Sequence, residues 1–512
     1  MAFKSPHGKI NTKKILRMFI KTNKTNTEII DSYIKDTTIK NWWDLDLETS
    51  YKINIENTNS TGTSTVYNEN SYTTVDYHNG LKKEFHIGDV EILHNDGKPV
   101  TIVFYRVKGL THLCKVFSTE EIKINFLEIN RDTLEGFLEG NLRLKEVRFI
   151  TNPNTTAQVT KMDNFCKDCV ELERIEEMNL DRITTMNSAW ENCHNLLAMP
   201  NMSIGYCIEL NSTWKNCYAL SSIGNIEIKE LLSLNNTWEN CRSLVSTPTF
   251  DFKKLASAVN SWKGCSSLLD VSPHKIDHVK VLDGTWMNCS SIVTFPKIYF
   301  DEADSLISTW EGCSSLEEIP LLYTRNISYM KNTWRNCSSL KNIPLMDFNL
   351  STSLEGVFEG CSSITKFPTL STTRCTNFTR TWKDCTSLVE FIKINTELSY
   401  EMVETWKGCS SLISFPPIAL TKCRTLDSTW MNCINLRAIG ELKTPNLENL
   451  DKTFFNCQNL ICLGALNTKN LLSYSTPFYN INTLLRPNQA ELNDLLITNI
   501  KWTNDEPCFL GN

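Results

Sequence analysis

Apolar side chains recur along most of this chain with a period that belongs to neither a helix nor a strand: the pattern repeats every 24 residues. Its fixed point is a cysteine, found without a slip at Cys169, Cys193, Cys217, Cys241, Cys265, Cys289, Cys313, Cys337, Cys361, Cys385, Cys409, Cys433 and Cys457. Three residues before it stands a large aromatic, from Trp190 and Trp214 to Trp430 and Phe454, with Cys166 as the exception; three residues after it stands Leu or Ile. Other apolar positions fall seven before it (Leu210, Leu306, Leu426), six after it (Ile319, Phe367, Phe415) and nine after it (Ile226, Leu322, Ile418). These are too few to close a core within one copy, but stacked copies bury them against the same positions of their neighbours. The pattern predicts a solenoid in which each coil depends on the next.

Polar and special residues punctuate the same register. The residue just before each cysteine is Asn, Gly or Asp, as at Asn192, Gly312 and Asp384. These residue types tolerate positive φ, so a tight left-handed turn is expected there in every coil. Pro or Gly follows seven residues after most of the cysteines, as at Pro200, Pro344, Pro416 and Gly440, and is expected to end a short strand because proline has no amide to donate.

The resulting consensus, Leu-x-x-Thr-Trp-x-Asn-Cys-Ser-Ser-Leu-x-x-Ile-Pro, resembles the BspA-type leucine-rich repeat over about residues 138 to 482. Trp stands where that family usually has Phe. The resemblance implies a leucine-rich-repeat solenoid used as a recognition surface, of the kind found in bacterial surface proteins and in virion proteins of some large phages. It implies no catalysis.

Composition alters this picture little. The chain has 512 residues, 41% hydrophobic and 21% charged, with a net charge of −6. Such a charge gives no general attraction to nucleic acid or membrane, and no apolar run approaches the ~20 residues that span a bilayer. The first residues have no signal-peptide core and no early cysteine, so a virion protein assembled in the host cytoplasm is expected rather than an exported one.

The cysteines total 20. In a ladder with coils roughly 4.8 Å apart, Cα separation alone would allow disulfides, but parallel Cβ vectors do not converge. A reduced, buried ladder is the favoured reading, against pairwise disulfides or metal binding. Cys166-x-x-Cys169 looks like a zinc or redox half-motif, yet Cys166 falls in the aromatic slot. The Trp column is read as core rather than as a sugar-binding platform. Sequons such as Asn288-Cys-Ser290 are read as repeat consensus.

Four segments are expected: a basic arm at 1–39, a separate β-rich attachment domain at 40–137, the solenoid of about 13 coils at 138–482, and a cap at 483–512. Residues 1–24 hold Lys4, Lys9, Lys13, Lys14, Arg17, Lys21 and Lys24 with no acidic residue. This arm suits docking on a partner protein, a solvated tail or nucleic acid. Residues 40 to 117 read as β, with Tyr51, Ile53 and Ile55 alternating, a run from Val100 to Val107, a turn at Asn95-Asp-Gly97 and a loop over 57 to 65. Ser118-Thr-Glu-Glu121 is expected to open a connecting helical segment. The first coil has Asn141 in the cysteine slot, the last has Phe478 and Ile481 in the aromatic and cysteine slots, and a short helix after Pro487 is expected to close the core.

No catalytic group, cofactor or metal is expected: His194, His274 and His278 are the histidines of the array, without paired metal spacing or a nucleophile elbow. The residues four and five after each cysteine should point outward and vary most, which makes Glu317, Glu318, Lys341, Lys366, Glu390 and Arg437 the candidate binding surface; a merely solvated face is the alternative. The expected partners are a host surface protein or polysaccharide on the solenoid and other virion or surface proteins on residues 1–137. A bacterial cell-surface adhesin and a leucine-rich-repeat effector enzyme are the other classes.

Overall fold

The computed structural model describes residues 133–485, apart from 143, 150–158, 176–177, 247–252, 272–277, 296–301, 320–321, 323–325 and 483, together with the backbones of six earlier strands and one at 502–503. The chain divides into two compact units, Met1–Leu244 with Pro248–Asp251 and Val245–Thr247 with Phe252–Asn512. Both are β-solenoids of 24-residue leucine-rich coils, and no α-helix occurs among the described residues.

The first unit begins with strands β1 (Tyr51–Asn57), β2 (Thr63–Asn68), β3 (Ser71–Asp76), β4 (Val90–Leu93), β5 (Pro99–Phe104), β6 (Ile122–Leu127), β7 (Leu144–Phe149) and β8 (Arg174–Ile175). Six of them form one sheet in the order β4-β5-β1-β6-β7-β8, and β2 pairs with β3 alone. β1 runs antiparallel to β5 and β6, whereas β6, β7 and β8 are parallel. Through β6, then, the antiparallel N-terminal strands pass into the parallel sheet of the first repeats. The helix expected after Ser118–Glu121 is corrected here. Ile122, Ile124 and Phe126 alternate with a strand's period, and pairing on both edges overrides the local helix-start signal. The loop read over 57 to 65 is shorter, since Thr63 to Thr65 already belong to β2. The basic arm 1–39, the turn at Asn95–Gly97 and the helix after Pro487 lie outside the described residues.

Within the coils the Pro or Gly after the cysteine separates two short strands. In the first unit Ala198–Met199 pairs in parallel with Ser222–Ile223, and Met202–Ser203 pairs with Met178–Asn179 and Ile226–Glu227. The second unit repeats this with Ser414–Phe415 against Ala438–Ile439 and Ile418–Ala419 against Leu442–Lys443. Its sheet continues through Cys462–Leu463 and Leu484–Leu485 to Trp502–Thr503.

The segment before each cysteine is a ribbon of consecutive turns, and it carries the densest bonding between coils. The amides of Leu306, Ser308, Trp310 and Gly312 donate to the carbonyls of Tyr329, Lys331, Thr333 and Arg335 in the following coil, at 2.8, 2.9, 3.0 and 2.7 Å. The intervening amides of Thr309, Glu311 and Cys313 donate three residues back, to Leu306, Ser308 and Trp310. Such a ribbon needs left-handed backbone at two places. One is the expected turn residue, with φ of 61° at Asn216 and 75° at Gly312; the other lies four residues earlier, with φ of 54° at Ser308, 56° at Arg380 and 52° at Glu404. Residue type did not announce the second position, because bonds from both neighbouring coils hold Arg and Glu in a region they rarely adopt. At Gly312 and Gly408 a Cβ would collide with Asn288 Oδ1 and Asp384 Oδ1, so over these coils a bulky turn residue alternates with a glycine that makes room for it.

Inside, like side chains stack on like. Cysteine, aromatic and leucine slots are fully buried, as at Cys313, Trp310 and Leu316, each 0% exposed. Indoles lie parallel, 5.7 Å apart for Trp190 and Trp214 in the first unit, and 5.8 Å for Trp310 and Trp334 and 5.4 Å for Trp406 and Trp430 in the second. Asn141 and Phe478 occupy their expected slots: the former is 3% exposed, and the latter stacks on Phe454 at 5.3 Å. The threonine before the tryptophan is buried as well, its hydroxyl donating to a carbonyl of the preceding coil, Thr333 to Leu306 at 3.0 Å and Thr429 to Met402 at 2.7 Å. One inward slot escaped the sequence reading. Fourteen residues after the cysteine come Ile183, Cys207, Leu231, Val279, Ser351, Cys375 and Cys423, all buried, whose mixed chemistry hides their common position.

Trp310→Ala should lower stability by about 3 to 5 kcal/mol, because neighbours on both sides pack against the lost ring. Trp406→Phe should cost only about 1 kcal/mol, since the buried Trp406 Nε1 has no hydrogen-bond partner to lose and Phe358 and Phe454 fill the same slot. Guanidinium denaturation midpoints separate the two outcomes; equal shifts would contradict this account of the column.

Candidate recognition surface

The fourth and fifth residues after the cysteine lie between two inward slots, such as Leu316 and Ile319, and both are exposed or half-buried in coil after coil. Glu318, Lys341, Lys366, Glu390 and Arg437 are exposed and Glu317 is half-buried, as the register requires. Glu317 and Lys341, on consecutive coils, form an ion pair at 3.1 Å, and Asn342 Nδ2 donates to Glu318 Oε1 at 3.3 Å. Lys366, Glu390 and Arg437 follow on later coils of the same face. The geometry sets the candidate residues in two adjacent outer columns, Glu317, Lys341 and Arg437 four after the cysteine and Glu318, Lys366 and Glu390 five after it, and the backbone of the first is itself a ladder: Lys341 N donates to Glu317 O at 3.0 Å, Ile413 N to Val389 O at 2.9 Å and Arg437 N to Ile413 O at 2.8 Å.

The sequence reading chose the charged members of this column and passed over most of the apolar ones. At the fourth residue after the cysteine stand Val245, Leu269 and Val293, then Val389 and Ile413, then Ile461, exposed by 42%, 59%, 44%, 41%, 46% and 48%. Aliphatic side chains exposed on successive coils make apolar runs on either side of Glu317, Lys341 and Thr365, and exposed apolar patches mark interaction surfaces. The register alone could have found them.

Other charged columns neutralise themselves. Two residues before the cysteine, Lys215 pairs with Glu239 at 2.9 Å in the first unit, and Glu311, Arg335, Glu359 and Lys383 alternate in the second, with Arg335 to Glu359 at 3.3 Å and Glu359 to Lys383 at 3.6 Å. Burial opposes ionisation of Glu404, but bonds from Lys407 and Lys383 outweigh it and hold its pKa below the ordinary carboxylate value. His194 stacks on Tyr218, and His278 Nδ1 lies 2.8 Å from Glu302. No group of three or more His, Cys, Asp or Glu side chains among the described residues could hold a metal ion.

The cysteine column offers no reactive thiol. Its members are free and buried, and S–H groups along it donate to the carbonyl of the aromatic slot one coil back, Cys313 to Trp286 and Cys337 to Trp310, both at 3.1 Å. Cys166 takes its place in that scheme as the acceptor for Cys193, at 3.1 Å. Burial pushes the thiols of Cys313 and Cys457 up from 9.0 to about 12, the reverse of what a nucleophile or metal ligand needs. Cys462, outside the column, is disulfide-bonded.

No family model matches the chain, and no curated protein matches it. Among solved structures, "Crystal structure of TLR13-ssRNA13 complex" is similar over 68% of this chain and 50% of that one, at 15% identity and a TM-score of 0.23. This chain thus spans half the length of that one. A likeness so slight carries no argument, and the fold rests on the coil geometry itself.

Two outcomes follow for the thiols. The column cysteines should resist thiol labelling in the native protein and react fully in denaturant without reductant. Because folding raises the pKa values of Cys313 and Cys457, the stability linked to these two is whole below pH 9.0 and is lost as the pH climbs toward about 12. Alkaline unfolding followed by circular dichroism checks this, and a stability that rose above pH 9.0 would contradict it.

Proposed function

We propose that this chain is a non-catalytic recognition protein that grips another macromolecule with the outer column of its solenoid. The observation that carries this reading is the column itself, where exposed aliphatic and charged side chains of varied identity are mounted at fixed spacing on a hydrogen-bonded ladder. A rigid, extended and variable face suits macromolecular recognition, the general use of solenoids. Rigidity also lowers the entropy cost of binding. The buried thiols and self-neutralised charge columns favour a scaffold over an enzyme.

The finer reading follows the repeat consensus. On its resemblance to BspA-type repeats, the protein acts as a virion component of the tail or baseplate type, recognising a host surface protein or polysaccharide or a neighbouring subunit. Residues 1–137 then attach it to other virion or surface proteins.

Replacing Leu269 and Val389 with Lys should leave the far-ultraviolet spectrum and denaturation midpoint unchanged, since both are exposed, 59% and 41%. The double variant should lose at least tenfold in affinity for the target cell or subunit. Attachment at full strength would move the binding surface elsewhere.

A further inference from the structure

We propose that a second copy of this chain docks on the outer column of the second unit, face to face and antiparallel. The proposal rests on the reading of that column as a recognition face and names its occupant. Its basis is the order of side chains along the column: Val245, Leu269, Val293, Glu317, Lys341, Thr365, Val389, Ile413, one per coil.

A two-fold interface is self-complementary: if one residue meets another, the reverse contact is made too. Place the axis in the plane of the contact, across the column, between Glu317 and Lys341. Each Glu317 then faces the second copy's Lys341, and each Lys341 the second copy's Glu317. Outward from this centre, Val293 faces Thr365, Leu269 faces Val389 and Val245 faces Ile413. Apolar groups meet apolar groups or a threonine methyl, and the two charges between Val245 and Ile413 sit where their opposites are. Neighbouring placements fail this test. Centred on Glu317 or on Lys341, the axis sets that charge against its own copy; one step further, Lys341 faces Thr365 and Glu317 faces Val389, leaving charges against uncharged groups.

The central pair already lies within one chain at 3.1 Å, with side-chain exposures of 45% for Glu317 and 56% for Lys341. Docking gives each group a second opposite neighbour and takes the pair out of water, where it interacts more strongly. Val245, Leu269, Val293, Val389 and Ile413, between 41% and 59% exposed, supply the apolar area. From Val245 to Ile413 the strip runs roughly 35 Å at one strand spacing per coil. At about 15 Å wide it would bury on the order of 1,000 Å² in total, the small end of specific interfaces, which suits association in the micromolar range. Beside the strip the same operation sets Asp270 against the second copy's Glu390, the like-charge pair of the contact.

Sedimentation velocity on the full chain from about 1 to about 100 μM tests this. The wild type should pass from monomer to dimer within that range. Glu317→Lys, with two positive groups at the centre, and Lys341→Glu, with two negative ones, should each remain monomeric. An equimolar mixture of the two variants should recover the dimer, because each then faces its opposite, and recovery also shows that both are folded. Asp270→Lys should tighten the dimer several-fold. A wild type that stays monomeric, single variants that dimerise like it, or a mixture that stays monomeric overturns the proposal. If the wild type is monomeric while Leu269→Lys with Val389→Lys still abolishes attachment, the recognition reading stands and the occupant is a different molecule; if attachment also survives, both readings fall.

Discussion

Every second amide in the turn ribbon finds its acceptor in the following coil, and the rest of this structure depends on that. A coil in isolation would leave those donors unsatisfied, at about 1 to 3 kcal/mol for each one buried. The bonds that remove this cost also require left-handed backbone twice per coil, at the turn residue and four residues earlier. Residues as ill-suited as Arg380 and Glu404 accept φ of 56° and 52° because the neighbouring coils leave them no other conformation. Stability is therefore shared between neighbours rather than owned by a coil, and an end coil needs a cap. In the first unit β6 supplies it, laying an antiparallel sheet against the first parallel strands.

Stacking one coil on the next also places each side chain beside its own counterpart, and this selects what a column can contain. Aromatic rings tolerate it by lying parallel, and thiols and threonine hydroxyls by donating to a carbonyl of the preceding coil. Asparagine tolerates it by donating to the asparagine of the preceding coil, as Asn216 does to Asn192 at 2.8 Å. Charges do not tolerate it, since like charges at one strand spacing repel. Charged columns consequently alternate in sign over much of their length, as in Lys167 and Glu191, Lys215 and Glu239, or Glu311, Arg335 and Glu359, and where Lys383 stands beside Lys407 both pair with Glu404. On the outer column Glu317 and Lys341 obey the same rule, and aliphatic groups take most of the remaining places.

This economy explains how a chain with so many cysteines has so little thiol chemistry. A column thiol is valuable as a small apolar group with one weak donor that fits where the chain turns toward the core. Burial keeps it protonated, so the same placement that packs it silences it. Sequence variety is left to the outside of the strand, where core packing does not constrain the side chain.

Much of the architecture was legible before any coordinates. The strict spacing from Cys169 to Cys457 implied stacked coils, and the Asn, Gly or Asp before each cysteine implied the first left-handed turn. The place of Glu317, Glu318, Lys341, Lys366, Glu390 and Arg437 between inward slots pointed them outward. Other features were hidden because a period shows which residues share an environment, not which partner they meet in it. The slot shared by Leu231, Ser351 and Cys375 is chemically mixed, and the second left-handed position takes almost any residue. β6 was obscured because Ser118–Glu121 resembles a helix start while its strand character depends on β1 and β7 lying on either side. By itself, the sequence determined the repeat, its inward slots and its outward column, because these follow from local periodicity. Only the tertiary structure decided which amides, charges and aliphatic groups became neighbours, because residues 24 apart meet only once the coils have stacked.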